Sequence, residues 1–342
     1  MWRIRVLIFC LLAFILVSGC HSARQEAPDV SHIPMPVHIM RFDREFMRLD
    51  SNQILTDLSK LNRQYPTFLP VYLENIMNFG SYSDTGTVLS KEVRAFITAK
   101  DIRQLQDTVN AHFPSVAKTE AALQSGFRYI KYYFPSFQPP RVVTFISGLG
   151  NYGAVTADSV LGIGLDMFLG SGFVPYTKVA DPYPGYMLYQ FSPPFIAADC
   201  FKVLQQQRFP MPESGTLLDL MVAHGKQLYF LDKVMPGAPD SVKIGFNSAQ
   251  LDWCRDNEQY IWQYLVQNNL LYIHDMQRIM HYIGPGPSTQ GMPSVSPGDI
   301  GSWVGWQIVR KYMAEQPVTT LKQLMEQHNA QELLSQAHYR PH

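Results

Sequence analysis

Apolar residues recur at three- and four-residue steps between Thr216 and Met235, the longest strongly periodic stretch of the chain. From Leu217 onward this spacing places an apolar stripe along one face of a helix. Thr216 followed three residues later by Asp219 is typical of an N-terminal cap, and Pro236 ends the pattern. The pattern therefore predicts a core helix here, and the rest of the chain can be placed around it.

One titratable residue lies within this apolar stripe. His224 falls on the same face and is followed by Gly225, and a glycine costs about 1 kcal/mol in a helix interior relative to alanine. We therefore expect a second helix to pack closely at Gly225. Two interpretations of His224 remain open, a neutral histidine hydrogen-bonded inside the core or a residue of a pocket.

Elsewhere in the chain, the predicted secondary structure changes from helices to strands at residues 139–140, which are both proline. Before them, short helical patterns alternate with clusters of Gly, Ser and Pro. After them, residues 141–146 and 159–165 are β-branched and apolar, which predicts two or three strands. The glycine-rich loop at 148–153 lacks the Lys-Ser/Thr of a phosphate-binding loop, so we interpret it as a hairpin connection.

Further helical patterns follow the strands, and they predict an α+β fold that is predominantly α-helical with a small β-sheet. A loop rich in aromatic residues and proline spans 176–194 and carries Tyr186; we interpret it as cover over the core, with stacking on a glycan as the alternative. Near the C-terminus, Ser296 is a predicted cap for a helix over 300–313. Gly301 and Gly305 on that helix permit close contact with a neighbour.

The N-terminus has the layout of a bacterial lipoprotein signal. Basic residues precede a twelve-residue apolar run at 6–17, which is too short to span a bilayer. The run ends at a lipobox in which Cys20 becomes the acylated first residue, and His21 after it favours the outer membrane. We expect this anchor to be effectively permanent.

These features predict four segments. They are a signal peptide (1–19), a lipidated tether (20–36), and a single domain (37–342) with a helical part (37–138) and a part containing the small sheet and further helices (139–342).

Composition narrows the possible partners. The chain has 28 basic and 28 acidic residues and no basic tract, which argues against a nucleic-acid partner. Once Cys10 leaves with the signal peptide and Cys20 carries lipid, Cys200 and Cys254 remain. They could form a disulfide in an oxidising envelope or stay as two buried thiols.

The motifs of common catalytic and metal sites are missing from the sequence. No HxxxH pair occurs, and His274 and His281 lie seven residues apart, roughly 10 Å along a helix axis, too far to chelate one ion unaided. No GxSxG nucleophile elbow occurs. Four carboxylates could in principle supply a glycosidase pair, but no spacing selects any two of them: Asp158, Asp166, Asp181 and Asp199. We therefore predict no metal, no cofactor and no catalytic residue.

Several long segments resemble the gliding-motility lipoprotein GldB family of Bacteroidetes. They are LGIGLDMFLG (161–170), YQFSPPFIAAD (189–199), HGKQLYFLDKVMP (224–236), QLDWCRDNEQYIWQYLV (250–266), SPGDIGSWVGWQIVRKYM (296–313) and the terminal HYRP. The resemblance covers nearly the whole mature chain and is densest after residue 160.

This family is similar in turn to predicted zinc-dependent peptidases, which carry HExxH on one helix and Glu-Gly on the next. Residues 195–207 and the helix of His224 would occupy those places, yet the ligands are missing. The resemblance therefore implies a degenerate zincin-like metallopeptidase architecture without its metal.

The function that the resemblance implies is non-catalytic. It is that of an outer-membrane lipoprotein facing the periplasm, which supports the gliding-motility and type IX secretion machinery through contacts with other envelope proteins. The alternative is an envelope hydrolase or a glycan- or peptide-binding lipoprotein. Its candidate pocket would contain Asp166, Tyr186, Asp199 and His224.

Overall fold

The computed structural model describes residues 27–83 and 87–341. One compact unit begins at Ile33 and continues to the C-terminus. The predicted signal peptide (1–19) and the predicted lipid-bearing Cys20 lie outside the described residues, and the tether is described only from residue 27. The division of 37–342 at residue 138 stays a prediction.

The described residues confirm an α+β fold that is mostly helical with a small sheet. The strands are β1 (Ile39–Met40), β2 (Arg141–Phe145), β3 (Ala154–Ala157) and β4 (Val160–Gly164). The helices before the main strands are α1 (Phe42–Phe46), α2 (Ile54–Gln64), α3 (Phe68–Val71), which continues as a π-helical turn (Tyr72–Ile76), α4 (Thr87–Thr98), α5 (Lys100–His112) and α6 (Ala117–Tyr133). Those after them are α7 (Ile196–Arg208), α8 (Leu217–Val234), α9 (Asp240–Ile244), α10 (Ser248–Asp256), α11 (Glu258–Gln267), α12 (Met276–Ile283), α13 (Ile300–Glu315), α14 (Leu321–Glu326) and α15 (Ala330–Ala337).

The sheet has the strand order β1-β2-β4-β3. Strands β1 and β2 are parallel, β2 and β4 are parallel, and β3 is antiparallel to β4. The two predicted strand runs therefore form β2 and β4, but the predicted hairpin between them is wrong. Because these strands run in the same direction, the loop at 147–153 begins a crossover that includes β3.

The sheet lies between two apolar layers. Side chains alternate across a strand, so Val142 and Leu161 belong to one apolar cluster while Val143 and Phe145 belong to the other. The smaller cluster covers the sheet with helices from the first third of the chain. Its centre is a group of closely packed aromatic rings: Phe42, Phe46, Tyr65, Phe68 and Tyr72.

The segment that leads into β1 is attached to α6. The guanidinium Nε of Arg128 donates a hydrogen bond of 3.0 Å to the carbonyl oxygen of Ile33. The N–H of Ile39 donates to Oε1 of Glu120 at 2.8 Å. Strand β1 and the segment before it are therefore anchored by hydrogen bonds to α6 as well as by the pairing of β1 with β2.

Helix α8 is the predicted core helix, and its cap is confirmed. The N–H of Asp219 donates to Oγ1 of Thr216 at 3.1 Å, and the N–H of Thr216 donates to Oδ2 of Asp219 at 2.8 Å. This reciprocal pair satisfies two of the backbone donors that a helix start leaves free. The predicted apolar stripe is buried, from Leu217 through Leu231.

Helices α8 and α13 cross in backbone contact. A Cβ on Gly225 would lie 2.7 Å from the backbone nitrogen of Trp306, and still closer to the backbone of Gly305. A Cβ on Gly305 would overlap the carbonyl oxygen of Met221. The expectation of a tightly packed second helix at Gly225 is therefore confirmed.

A charged network joins the same two helices further along. The carboxylate of Asp232 on α8 accepts hydrogen bonds from Nε1 of Trp306 at 2.9 Å and from Nε of Arg310 at 2.8 Å, both on α13. It also accepts from Nζ of Lys243 at 2.8 Å. These bonds fix the position of α13 along α8.

Within the described residues, we find no helix with both the length and the apolar character needed to cross a membrane.

We predict that Gly305→Ala destabilises the protein by about 1–3 kcal/mol or more, because the added methyl group can be accommodated only if the two helix backbones move apart. Gly237→Ala is the control, since a Cβ there meets no atom within 4 Å. Urea unfolding measures the difference. If the two variants have the same free energy of unfolding, the close contact is not a constraint on the fold.

Candidate functional site

Two internal polar centres contain three of the four predicted pocket residues, and the first is built on Asp166. This residue follows β4, and its side chain is fully buried. Its Oδ2 accepts hydrogen bonds from the N–H of Leu149 at 2.8 Å, the N–H of Ser147 at 2.9 Å and Oγ of Ser147 at 3.1 Å. Its Oδ1 has no hydrogen-bond partner among the described residues. Burial raises the pKa of Asp166 to about 6, against the lowering effect of these hydrogen bonds.

Asp166 holds a loop of unusual backbone conformation. Gly148, Leu149 and Asn151 all have left-handed φ angles, of 69°, 67° and 65°. Such angles are unfavourable for a residue with a Cβ, so the three hydrogen bonds to one carboxylate offset a local cost. The hydroxyl of Tyr183 fixes the same loop by donating to the carbonyl oxygen of Leu149 at 2.6 Å. The geometry gives Asp166 a structural role.

The second centre lies where α7, α8 and α13 meet, and we call it the charged cluster: Asp199 and Lys202 on α7, His224 on α8, and Asp299 with Ser302 at the start of α13. Nζ of Lys202 lies 3.4 Å from Oδ1 of Asp199. The Lys202 side chain is 21% exposed and that of Asp199 29%, so the pair is partly shielded from solvent.

A chain of hydrogen bonds connects the other three members. Oγ of Ser302 lies 3.0 Å from Nδ1 of His224 and donates a short hydrogen bond to Oδ1 of Asp299. The hydroxyl therefore stands between the imidazole and the carboxyl group. In a Ser-His-Asp triad the imidazole stands in the middle, so this arrangement does not activate Ser302 as a nucleophile.

The backbone conformation of Asp299 determines which group its carboxylate contacts. The prediction that Ser296 caps α13 is wrong, because Oγ of Ser296 accepts instead from the N–H of Thr289. Asp299 occupies the cap position with a left-handed φ of 58° and makes no side-chain cap hydrogen bond. Its carboxyl group is thereby directed to Ser302.

Burial sets the charges of the cluster. Burial and, to a lesser extent, the positive charge of Lys202 together lower the pKa of His224 to about 4, so the imidazole is neutral at pH 7. Burial raises the pKa of Asp299 to about 7, although Ser302 and Lys202 oppose the rise. Burial also raises the pKa of Asp199, with Lys202 again opposing. Lys202 is thus the cation that compensates both partly buried carboxyl groups.

The structure brings two of the four predicted pocket residues together. Asp199 and His224 share Lys202 as a neighbour, whereas Asp166 holds its own loop. Tyr186 has a ring that is 37% exposed, in the aromatic loop. A different tyrosine of the same loop, Tyr183, contacts the Asp166 centre through its hydrogen bond to Leu149.

Lys202, Asp299 and Ser302 complete the cluster, and the sequence analysis did not single them out. One signal was available for Lys202, which follows Asp199 by one helical turn and so shares its face. The Asp299–Ser302 pair has the same spacing, but an acid near a helix start is ordinarily a cap.

The residues of the charged cluster can be compared with the needs of the zinc ion that the sequence resemblance implied for a peptidase. A zinc site needs several deprotonated donors that converge on one point. Here Nδ1 of His224 and the carboxyl group of Asp299 bond to Ser302, and the ammonium group of Lys202 would repel a divalent cation. In the described part of the chain, no three His, Cys, Asp or Glu residues could hold a metal ion. The residues do not fit zinc.

The two cysteines of the folded body are buried thiols, so the disulfide alternative is wrong. Burial raises the pKa of Cys200 and of Cys254, which keeps both protonated at neutral pH.

These features define a mainly helical α+β protein whose internal charged cluster stands at a helix crossing. The chain belongs to the family described as gliding motility protein GldB, whose sequence model matches residues 23–341. The resemblance seen in the sequence is therefore confirmed, and with it an involvement in gliding motility at the level of the family. No curated protein and no solved structure matches the chain.

We predict that Asp299→Asn changes the pH dependence of stability. The folded pKa of about 7 lies above the ordinary 3.8, so the stabilisation that Asp299 gives is complete below pH 3.8 and is lost as the pH rises to 7. The Asn variant has no such loss. Between pH 4 and 8 its free energy of unfolding should therefore rise relative to the parent, by on the order of 2 kcal/mol.

Denaturant unfolding at several pH values measures this difference. Asp256→Asn changes an exposed carboxylate and serves as the control. A constant difference between Asp299→Asn and the parent across this pH range would contradict the assignment.

Proposed function

We propose that this protein is a lipid-anchored protein of the outer membrane that faces the periplasm. It supports the gliding-motility and type IX secretion machinery through contacts with other envelope proteins, and it does so without catalysing a reaction. Membership of the GldB family supports the link to motility. The non-catalytic role rests on the charged cluster, in which the ammonium group of Lys202 stands among Asp199, His224 and Asp299.

The chemistry of this cluster favours a structural use. A general base or a metal ligand needs a lone pair that is free to act on a substrate. Ser302 donates its proton to Asp299, so the neutral imidazole of His224 donates Nδ1–H to Ser302 and keeps a lone pair at Nε2. With its pKa lowered to about 4, that nitrogen is a weak base at neutral pH, and the carboxyl groups are compensated within the protein. We therefore propose that the charged cluster is a degenerate peptidase-like centre and that its role is to stabilise the crossing of α8 and α13.

Exposed apolar side chains on α12 support the contact role. Met276 and Met280 lie one turn apart and are 39% and 48% exposed, while Ile279 and Tyr282 on the other face are buried. Methionine adapts its shape to varied partners and is common on binding surfaces. This face offers an apolar surface for another envelope protein.

We predict that His224→Asn and Asp166→Asn, alone and combined, leave gliding intact. Asn keeps the size of Asp and can keep one acceptor for the Ser147 and Leu149 donors, so the Asp166 loop can persist. Each variant replaces the chromosomal copy, and colony spreading and single-cell movement are measured beside immunoblots of protein level.

A deletion strain defines complete loss in this experiment. Gly305→Ala shows what reduced folding alone does to abundance and motility. Lost movement at normal abundance in His224→Asn or Asp166→Asn would contradict the non-catalytic proposal. It would favour the alternative, an envelope hydrolase or a glycan or peptide binder.

We predict that Cys20→Ala abolishes fatty acylation and releases the protein from the membrane fraction. Two or more acyl chains give stable anchoring, and the described body has no spanning helix to replace them. Metabolic labelling with an alkyne fatty acid and fractionation of lysed cells measure the effect. Cys10→Ala, within the apolar run of the signal, is the matched control and should keep both label and membrane association. A labelled Cys20→Ala protein would contradict the assignment.

A further inference from the structure

A polar cleft lies between α1 and α5, far along the chain from the charged cluster. Its volume is about 340 Å³, and its lining includes Arg44, Arg48 and Arg103 with Gln106, Asp107 and Asn110. We call it the arginine cleft. Asp107 is the sole carboxylate of this lining against three guanidinium groups, so the cleft is positively charged.

Arg44 is positioned by neutral oxygens. Its Nε donates to Oδ1 of Asn110 at 2.8 Å, and its Nη2 donates to the carbonyl oxygen of Phe113 at 3.3 Å. The nearby carboxylate of Asp43 is already engaged, because it forms a two-fold pair with Arg41 at 2.8 and 2.9 Å. The guanidinium of Arg44 is therefore fixed in place while its charge is not neutralised by a direct partner.

Arg48 and Arg103 add two more positive charges. Both are exposed, and within the described residues neither lies within ion-pair distance of a carboxylate. Burial lowers the pKa of Arg44, and the positive charges of Arg41 and Arg48 lower it too, against the opposing effect of Asp43. An anion in the cleft would relieve this repulsion.

Gln106, which also lines the cleft, carries a buried acceptor without a partner in the described part of the chain. It is 5% exposed, and its Nε2 donates to Oδ2 of Asp43 at 2.9 Å. Its Oε1 has no hydrogen-bond partner among the described residues. A buried acceptor without a donor is costly. A protonated phosphate oxygen is a donor of the required kind, whereas a fully ionised carboxylate ligand has none.

We propose that the arginine cleft binds a phosphate monoester or inorganic phosphate, the monoester being carried either by a soluble compound or by a lipid headgroup. Guanidinium groups match the tetrahedral oxygens of phosphate with paired N–H donors, and the two exposed arginines can close on a group that Arg44 orients. The inference is independent of the proposed function.

The test uses the mature chain from residue 20 with Cys20→Ala, so that neither an attached lipid nor the apolar run at 6–17 causes binding to vesicles. Inorganic phosphate and glycerol 1-phosphate are titrated by calorimetry at constant ionic strength. Vesicles containing phosphatidic acid, whose phosphate is a monoester, and vesicles of phosphatidylcholine alone are tested by co-sedimentation. Arg48→Gln with Arg103→Gln removes the exposed guanidinium groups of the cleft, and Arg63→Gln with Arg94→Gln removes two exposed arginines elsewhere.

We expect saturable phosphate binding that weakens at least about tenfold in the cleft variant and changes less than about twofold in the control, because one charge-assisted hydrogen bond contributes on the order of 1.5 kcal/mol or more. Vesicle binding that phosphate competes away, and that the cleft variant loses, identifies a lipid headgroup. Binding of the soluble compounds alone identifies a soluble ligand. Equal weakening in both variants, or no saturable binding to any probe, overturns the proposal.

Discussion

The backbone contact between α8 and α13 is the constraint on which the interior depends. Gly225 and Gly305 let the two helices approach until no side chain fits between them. At that separation His224 and Ser302 come within hydrogen-bond distance, and Asp232 reaches Trp306 and Arg310. A wider crossing would leave these buried polar groups without partners, and each unpartnered group costs on the order of 1–3 kcal/mol.

Charge compensation follows from this geometry. Water is largely excluded at the crossing, so carboxyl groups there need an internal cation or a proton. Lys202 supplies the cation for Asp199 and acts on Asp299, while Arg310 and Lys243 do the same for Asp232. Each group of charges includes residues of both α8 and α13, so the crossing is stabilised at two points by different chemistry.

Periodicity and glycine placement predicted much of the fold. The α8 stripe, its cap and the close neighbour at Gly225 all follow from local spacing, which the helix geometry makes unambiguous. Strand direction was not predictable in this way, because the β-branched run that forms β4 has the same composition in a parallel or an antiparallel pair. The two-residue strand β1 carries too few positions for any pattern.

The candidate site was predictable only in part, for a related reason. His224 stood out because it interrupts an apolar face, but its partner Ser302 lies 78 residues away in sequence. No local pattern encodes that distance. Asp299 has the sequence position of a helix cap, and its left-handed backbone, which directs it elsewhere, depends on packing that the sequence does not display.

The attachment of the N-terminal segment to α6 has a mechanical consequence. A pull applied from that end first meets the hydrogen bond at Ile33, and at Ile39 the bond to Glu120 acts together with the pairing of β1 in the sheet. Strand β1 is at the sheet edge and only two residues long, so it offers little resistance of its own. Tension on the N-terminal segment is therefore transmitted through Arg128 and Glu120 to α6, a seventeen-residue helix. The force then acts on the packing of the whole helix and does not separate the sheet one strand at a time.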